Sequence, residues 1–496
     1  MNPKKLITAF LFLGILTPTL SQAQQLHQPD SIDVFLTKTI HDQHIPALQL
    51  AIIREGKIVK LNSYGTANLE NSIPVTDQSI FSINSITKAF TGIAIMQLAE
   101  EGKLKINDPI SLYIDSLPVL WQKITLKQLL TNTSGLPDLM DSNEQILENG
   151  DENLAWKKVQ TLPLEFNAGD KFSYNQTGYV ILGKIITKLS GVHFTKFIED
   201  RQFKAADMPL TRFGDSFDVI KNSAGAYTMV KFVAGRPVRG KSPGTGYIQF
   251  PVFFRTAAGI LSTAKDMANW IIALKGGKLL KQKASLETLW DPAVLNNGKI
   301  SGFNQLTNGY ALGWPTVTRA EHPAVGPVGG GRSALFIYQK DDLSIVVLTN
   351  LMGANPERFI DEIAAYYIPE MHKSNGFGLS PAIKKLRTEL LKQGFDKSAA
   401  IAASLKKKDP LFTLNENELN GWAYQLLGLK EVHKALSIFK LNVKLYPESA
   451  NAYDSLGEIL EITGDNKEAL LNYKKSLSLN PDNRNAVQRI KVLSGS

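Results

Sequence analysis

A serine followed three residues later by a lysine occurs four times in the chain: Ser85/Lys88, Ser262/Lys265, Ser404/Lys407 and Ser437/Lys440. Residues three apart on a helix share a face, and a neutral lysine amine can take the proton of a serine hydroxyl and make it a nucleophile. Four occurrences show how little the bare spacing says, so the surroundings must choose. Ser404 and Ser437 stand in polar amphipathic segments, where the lysine is an ordinary solvated residue. Ser262-Thr263-Ala264-Lys265-Asp266 reads as a helix N-cap with an acidic first turn. Ser85 follows the strand-like Ile80-Phe81-Ser82-Ile83 and opens a helix running through Ala89, Phe90, Gly92, Ile93, Ala94, Ile95, Met96, Leu98 and Ala99. That helix is apolar nearly all round, which predicts burial. Burial and the positive helix end both disfavour the charged amine, so Lys88 is a candidate base for Ser85. On these residues alone, a capping serine beside a snorkelling lysine is an equally open reading.

Other chemistries are poorly supported. Gly240-Lys241-Ser242-Pro243-Gly244 matches the nucleophile-elbow spacing, but the residue after the serine must donate its N–H to the oxyanion, and proline has none. Its surroundings, Gly235 to Gly246, read as loop. Gly329-Gly330-Gly331 precedes a strand, so it lacks the helix N-terminus of a phosphate-cradling loop. His41 and His44 have no carboxylate-rich motif beside them, and no metal site is expected. The 496 residues contain no cysteine, which excludes disulfides, thiolate metal sites, a cysteine nucleophile and a lipoprotein anchor built on a thiol. No organic cofactor is implied.

The elements that must position Ser85 alternate strand-like and helix-like patterns over residues 24–370. Leu48–Ile53, a turn at Glu55-Gly56 and Ile58-Val59 form one expected hairpin. Ala334–Tyr338, a turn at Asp341-Asp342 and Ser344–Leu348 form another at the far end. Helical patterns with glycine stops lie between, at Ala89–Glu101 and Thr177–Ser190. Strands at both ends with helices between predict one antiparallel sheet closed by the two ends of the segment, with a helical insertion.

The two ends of the chain differ in kind. Lys4-Lys5, an apolar run from Leu6 to Leu20 broken by Pro18, and Ser21-Gln22-Ala23 read as a signal peptide over 1–23. An exported protein, periplasmic or extracellular, with no membrane span after cleavage, is therefore expected. Beyond about residue 380 the chain becomes strongly helical. Ala435 and Ala469, Phe439 and Tyr473, and Pro447 and Pro481 each lie 34 residues apart, the period of a tetratricopeptide helical hairpin. Two repeats are expected at about 416–449 and 450–483, after a degenerate pair at about 380–410. The division is thus 24–370, a linker with the degenerate pair over 371–411, and tetratricopeptide-like hairpins over 412–496, a segment suited to a protein partner. Of the net charge of +9, Lys4 and Lys5 carry +2, and 371–496 holds 19 basic against 13 acidic residues. Residues 24–370 are nearly neutral, which argues against a nucleic-acid partner.

Several segments agree in order. Phe81–Lys88, Leu129-Leu130-Thr131-Asn132-Thr133-Ser134-Gly135-Leu136-Pro137, Phe172–Tyr179 and Val346–Asn350 together resemble the serine β-lactamase-related family, over roughly residues 30–365. That family includes class C β-lactamases, penicillin-binding D-alanyl-D-alanine peptidases and related esterases. The resemblance implies an α+β fold, an antiparallel sheet flanked by helices with a helical subdomain, and acyl-enzyme catalysis on a peptidoglycan-like peptide, amide, ester or β-lactam. The first family motif is intact as Ser85 and Lys88. The second, Tyr-x-Asn, keeps Tyr174 but has Gln176 in place of the asparagine, with Asn175 as a neighbouring substitute. The third, Lys- or His-x-Gly, aligns on Pro327-Val328-Gly329, so a proline replaces the ionisable residue. The resemblance further implies that the backbone N–H groups of Ser85 and Gly330 form the oxyanion site, with Gly329 lining the substrate. Arg332 is either a replacement for the missing positive charge or a strand-edge surface residue. The departures at Gln176 and Pro327 leave a second reading open, a weakly active scaffold that acts through its helical tail.

Overall fold

The computed structural model describes residues 30–141, 145–233 and 236–494. The proposed signal peptide lies outside the described residues. The strands, in chain order, are β1 (Ala47–Arg54), β2 (Lys57–Asn68), β3 (Ile73–Pro74), β4 (Phe81–Ser82), β5 (Arg212–Phe213), β6 (Tyr227–Val233), β7 (Arg236–Thr245), β8 (Ile260–Ser262), β9 (Gly309–Tyr310), β10 (Pro315–Val317), β11 (Ala324–Val325), β12 (Val328–Gly329), β13 (Ser333–Tyr338), β14 (Leu343–Thr349) and β15 (Leu351–Met352).

The main sheet runs β3-β2-β1-β14-β13-β11-β10-β9, with β12 also paired to β13. β1 lies antiparallel to β14, with Leu48 opposite Thr349 and Arg54 opposite Leu343. The two ends of the segment therefore close the sheet, as the paired hairpins at its extremes predict. Alternation sends Ala47, Ala51 and Ile53 of β1 into one core and Leu48, Leu50 and Ile52 into the other. Both faces are covered, so these central strands read as continuous apolar runs rather than as an alternating pattern. The second core is closed by helix α1 (Ser31–Gln43) and the helix Ile360–Ala364.

On the first face lies helix α2 (Thr87–Glu100), in which every residue from Thr87 to Leu98 is buried. Phe90 stacks on Trp270 at 3.9 Å between ring centroids. Ser85 sits in a single 3₁₀ turn, Asn84–Ile86, that leads into α2. Asn84 holds a left-handed φ of 47°, a conformation asparagine tolerates better than most residues.

Two small sheets were not anticipated. One is β15-β6-β7 and the other is β4-β8-β5. The segment around Ser242, expected as loop, is part of β7 and pairs with β6. The cap of the helix Ala264–Lys275 is Thr263, whose side chain accepts from the Asp266 N–H at 3.1 Å, rather than Ser262. The Ser262 hydroxyl instead meets Thr211 Oγ1 at 2.7 Å.

The C-terminal segment forms helices Pro381–Gln393 and Ser398–Lys408, then Glu416–Gly428, Val432–Leu445, Ala450–Ile462, Asn466–Leu479 and Arg484–Leu493. Helix starts at Glu416 and Ala450, and at Val432 and Asn466, keep the 34-residue spacing read from the sequence. Ala435, Phe439, Ala469 and Tyr473 are buried in a third core of their own. Gly457 faces Tyr473 so closely that a Cβ would come within 2.9 Å of its ring. Polar contacts also reach the preceding segment: Gln425 donates to the Lys373 carbonyl at 3.1 Å, and Lys384 pairs with Glu321. Among the described residues no helix is long and apolar enough to cross a membrane.

Candidate active site

The Lys88 side chain is 1% exposed. Its Nζ donates to Gln176 Oε1 at 2.7 Å and to the Ala257 carbonyl at 2.9 Å. It also lies 4.6 Å from the Tyr174 ring centroid and 4.9 Å from that of Tyr179. Burial pushes the Lys88 amine down to about 7, and the negative charge of Asp138 partly opposes this. At neutral pH a large fraction of Lys88 is therefore uncharged and able to accept a proton. The structure thus decides the alternative left open by the sequence: Lys88 does not snorkel to solvent.

Tyr174 shares this space. Burial raises its phenol well above the usual tyrosine range, Tyr310 adds to the rise, and the hydrogen-bonding Ser85 hydroxyl partly offsets it. Tyr174 is thereby kept protonated near neutrality. Its ring packs on Phe303 and Tyr310, at 4.9 and 6.3 Å between centroids. Ser85, Lys88 and Tyr174 are thus brought together from two segments about ninety residues apart.

Two straps position the tyrosine segment. Just beyond the helix Leu126–Leu130 and its cap Thr131, Asn132 holds a left-handed φ of 55° that turns the chain. The Asn132 carbonyl accepts from the Ser173 N–H at 3.0 Å, and its Oδ1 accepts from the Asn175 N–H at 3.1 Å. The Thr177 hydroxyl donates to the Pro137 carbonyl at 2.7 Å. Asn175 is a structural clamp: it is 3% exposed, its Nδ2 donates to the Leu136 carbonyl and its Oδ1 accepts from the Gly178 N–H. This corrects the expectation that Asn175 stands in for the motif asparagine. Of the two neighbours it is the Gln176 amide oxygen, on a stem one methylene longer, that reaches Lys88.

Asp138, directly after Leu129–Pro137, belongs to the site although no motif marks it in the sequence. Its Oδ1 accepts the backbone N–H groups of Met140 and Gln176, each at 3.2 Å. Burial lifts its carboxyl to about 6, against these two bonds and the charge of Lys88. Asp138→Asn removes a negative charge while leaving an oxygen to accept those N–H groups. The expected result is a lower Lys88 pKa, so the acid limb of the kcat/KM–pH profile moves to lower pH. An unmoved limb in the variant contradicts that coupling.

The third-motif strand lies against the serine turn. The Ser333 hydroxyl donates to the Ile83 carbonyl at 3.0 Å, and a Cβ on Gly329 would come within 2.0 Å of that same oxygen. Gly330 has a φ of +54°, and a Cβ there would strike Asn84 Nδ2 at 1.9 Å. Gly329 lets backbone approach backbone, and Gly330 packs against the Asn84 side chain, which places it beside the turn that carries Ser85. Gly329→Ala is expected to lower stability by about 1–3 kcal/mol, read as a drop in thermal midpoint together with lost activity. An unchanged midpoint argues against this tight approach.

Arg332 is no surface residue. It is 2% exposed, and its Nη2 donates to the Gly246 carbonyl at 2.7 Å. It lines a cavity that includes Ser82 but neither Ser85 nor Tyr174.

A buried amine at a serine turn, a protonated tyrosine beside it and a glycine strand facing both are held on a sheet closed by its own ends. The beta-lactamase family model matches residues 25–368. The chain belongs to the beta-lactamase family. Protein flp of Staphylococcus aureus strain MRSA252 is 26% identical over 339 residues, covering 67% of this chain and 65% of that protein. The match therefore spans just under two thirds of that relative's length. Two solved structures share the fold. The octameric penicillin-binding protein homologue from Pyrococcus abyssi has a TM-score of 0.59 at 23% identity, covering 72% of this chain and 80% of its own. The D-amino acid amidase from Ochrobactrum anthropi SV3, complexed with L-phenylalanine, has a TM-score of 0.59 at 21% identity, covering 68% and 98%.

Proposed function

We propose that this protein is an exported serine hydrolase working through an acyl-enzyme. The observation that carries the reading is Lys88: an amine fully buried at the serine turn, oriented by Gln176 and Ala257, with a pKa near 7. Neutral Lys88 takes the Ser85 proton as Oγ attacks the acyl carbonyl carbon. The carbonyl oxygen gains the negative charge and is met by the N–H groups of Ser85 and Gly330. When the tetrahedral adduct collapses, the bond to the leaving group breaks, and that group takes the Tyr174 phenol proton, which Lys88 replaces. Water then attacks the acyl-enzyme by the reverse route, frees the acid and returns the proton to Ser85. The high phenol pKa of Tyr174 makes it a relay rather than a resting phenolate.

The substrate class is a peptide with a D-amino-acid end, a small amide or ester, or a β-lactam. The fold shared with a D-amino acid amidase and a penicillin-binding protein homologue supports this range. Gly329 and Gln176 line the substrate. Residues 412–496 are read as tetratricopeptide-like hairpins that take a protein partner.

The absence of an ionisable residue at Pro327 favours one alternative, a scaffold with a weakened site. Labelling the purified chain with a fluorophosphonate and with a penicillin, followed by peptide mass spectrometry, separates the two. An adduct on Ser85 supports the hydrolase, and no adduct with either probe supports the scaffold.

A further inference from the structure

Arg332 is the buried cation that the mechanism above does not use. It stands just before β13, beyond the Gly329–Gly331 turn, and among the described residues its side chain makes a single hydrogen bond, from Nη2 to the Gly246 carbonyl. Its Nε is buried with no partner, and among the described residues no carboxylate lies within ion-pair distance of it. A guanidinium held this way is costly unless an anion reaches it, because burial removes its hydration and nothing repays the loss.

The space beside it is a cavity of about 230 Å³. Ser82, Ser223, Tyr247, Asn350 and Arg332 contribute polar groups to its wall. Two carboxylates also line it, and both are engaged. Asp215 accepts from the N–H groups of Phe217 and Phe250, at 2.8 and 2.9 Å. Asp218 accepts from the Asp215 N–H at 3.0 Å, and Arg255 reaches both carboxylates at 3.5 and 3.3 Å. Among the described residues, Arg332 is the cation of this wall that no carboxylate neutralises.

The cavity is near the nucleophile. Ser82 is three residues from Ser85, so their backbones are at most about 11 Å apart. The cavity shares no lining residue with the pocket of Lys88, Tyr174, Gln176 and Ala257. Tyr174, which protonates the leaving group in the mechanism above, is not among the residues lining the cavity, and the acyl side is the one assigned to it below.

We propose that the Arg332 cavity is an acyl-side subsite for a carboxylate carried by the substrate. A free anion fits the same chemistry without being substrate, so the test separates the two. The proposal rests on the hydrolase reading above, and the experiment has one arm that does not depend on catalysis.

In the first arm, the full chain is offered 4-nitrophenyl hydrogen glutarate and the neutral 4-nitrophenyl pentanoate. A kcat/KM at least tenfold higher for the glutarate is expected, and Arg332→Met is expected to abolish that preference while leaving the pentanoate rate within about twofold. Equal rates for the two esters in the wild-type chain overturn the proposal, as does a preference that survives Arg332→Met. In the second arm, the wild-type chain and Ser85→Ala are treated with phenylglyoxal, with and without free glutarate, and modification of Arg332 is read by peptide mass spectrometry. Protection of at least threefold in both is expected, and no protection overturns the proposal even if Arg332→Met fails to fold. Protection without ester preference means that a free anion binds and overturns the substrate subsite. Protection with neither ester hydrolysed in the wild-type chain leaves the anion site standing and removes the hydrolase reading instead.

Discussion

Ser85→Ala is expected to reduce turnover of activated esters by about 10³-fold or more and to abolish covalent labelling by acylating probes. The size follows from losing the atom that forms the intermediate, which in serine hydrolases leaves only the oxyanion donors and binding to act. Ser85 is only partly exposed and its hydroxyl bonds to Tyr174 within the site itself, so the variant is expected to keep the thermal midpoint of the parent within a few degrees. Stopped-time hydrolysis of 4-nitrophenyl acetate and intact-mass analysis after probe treatment check both points. Undiminished hydrolysis with an unchanged melt would remove Ser85 from the mechanism.

The second large effect concerns Lys88. Its folded-state pKa of about 7 lies well below the ordinary lysine range, and its neutral form is the active one. Activity is therefore expected to be low below pH 6, to rise through about 7 and to level off above 8. The direction follows from proton loss: raising the pH converts the ammonium to the amine that accepts from Ser85. Asp138, lifted to about 6, titrates alongside, so the acid limb belongs to the pair and not to one residue. Lys88→Arg preserves a cation but cannot lose its proton at any working pH. It is expected to cost about 10³-fold in kcat/KM, with no recovery up to pH 9. A flat profile from pH 5.5 to 8.5 in the parent, or substantial activity in Lys88→Arg, would contradict the base role. A site that needs only positive charge near Ser85 would give that second result.

How much of this was readable in advance varies from residue to residue. The hairpins at Leu48–Val59 and Ala334–Leu348 were legible because apolar runs bounded by turn residues are a local pattern. The burial of α2 was legible because it is apolar on every side. The 34-residue period of the tail was legible because each helical pair must bury the same positions against its neighbour. The sheet β4-β8-β5 was not legible because strands of two or three residues carry too short a pattern to register, and β7 was hidden by the prolines and glycines along Arg236–Thr245.

Within the candidate site, the residue types and order of Ser85, Lys88 and Tyr174 stand in the sequence alone, because the first motif is local and the second keeps its tyrosine. Tertiary structure decided the rest. The Lys88 amine is held by a carbonyl 169 residues away, a partner no spacing can indicate. Gln176 and Asn175 are adjacent, yet one faces the amine and the other is spent on Leu136 and Gly178. Asp138 gained its place through the Gln176 backbone, and Arg332 through burial against Gly246. Sequence pattern records which surfaces must leave water. The charge state of a buried amine or guanidinium depends instead on which distant groups replace that water, and only the folded chain brings those groups together.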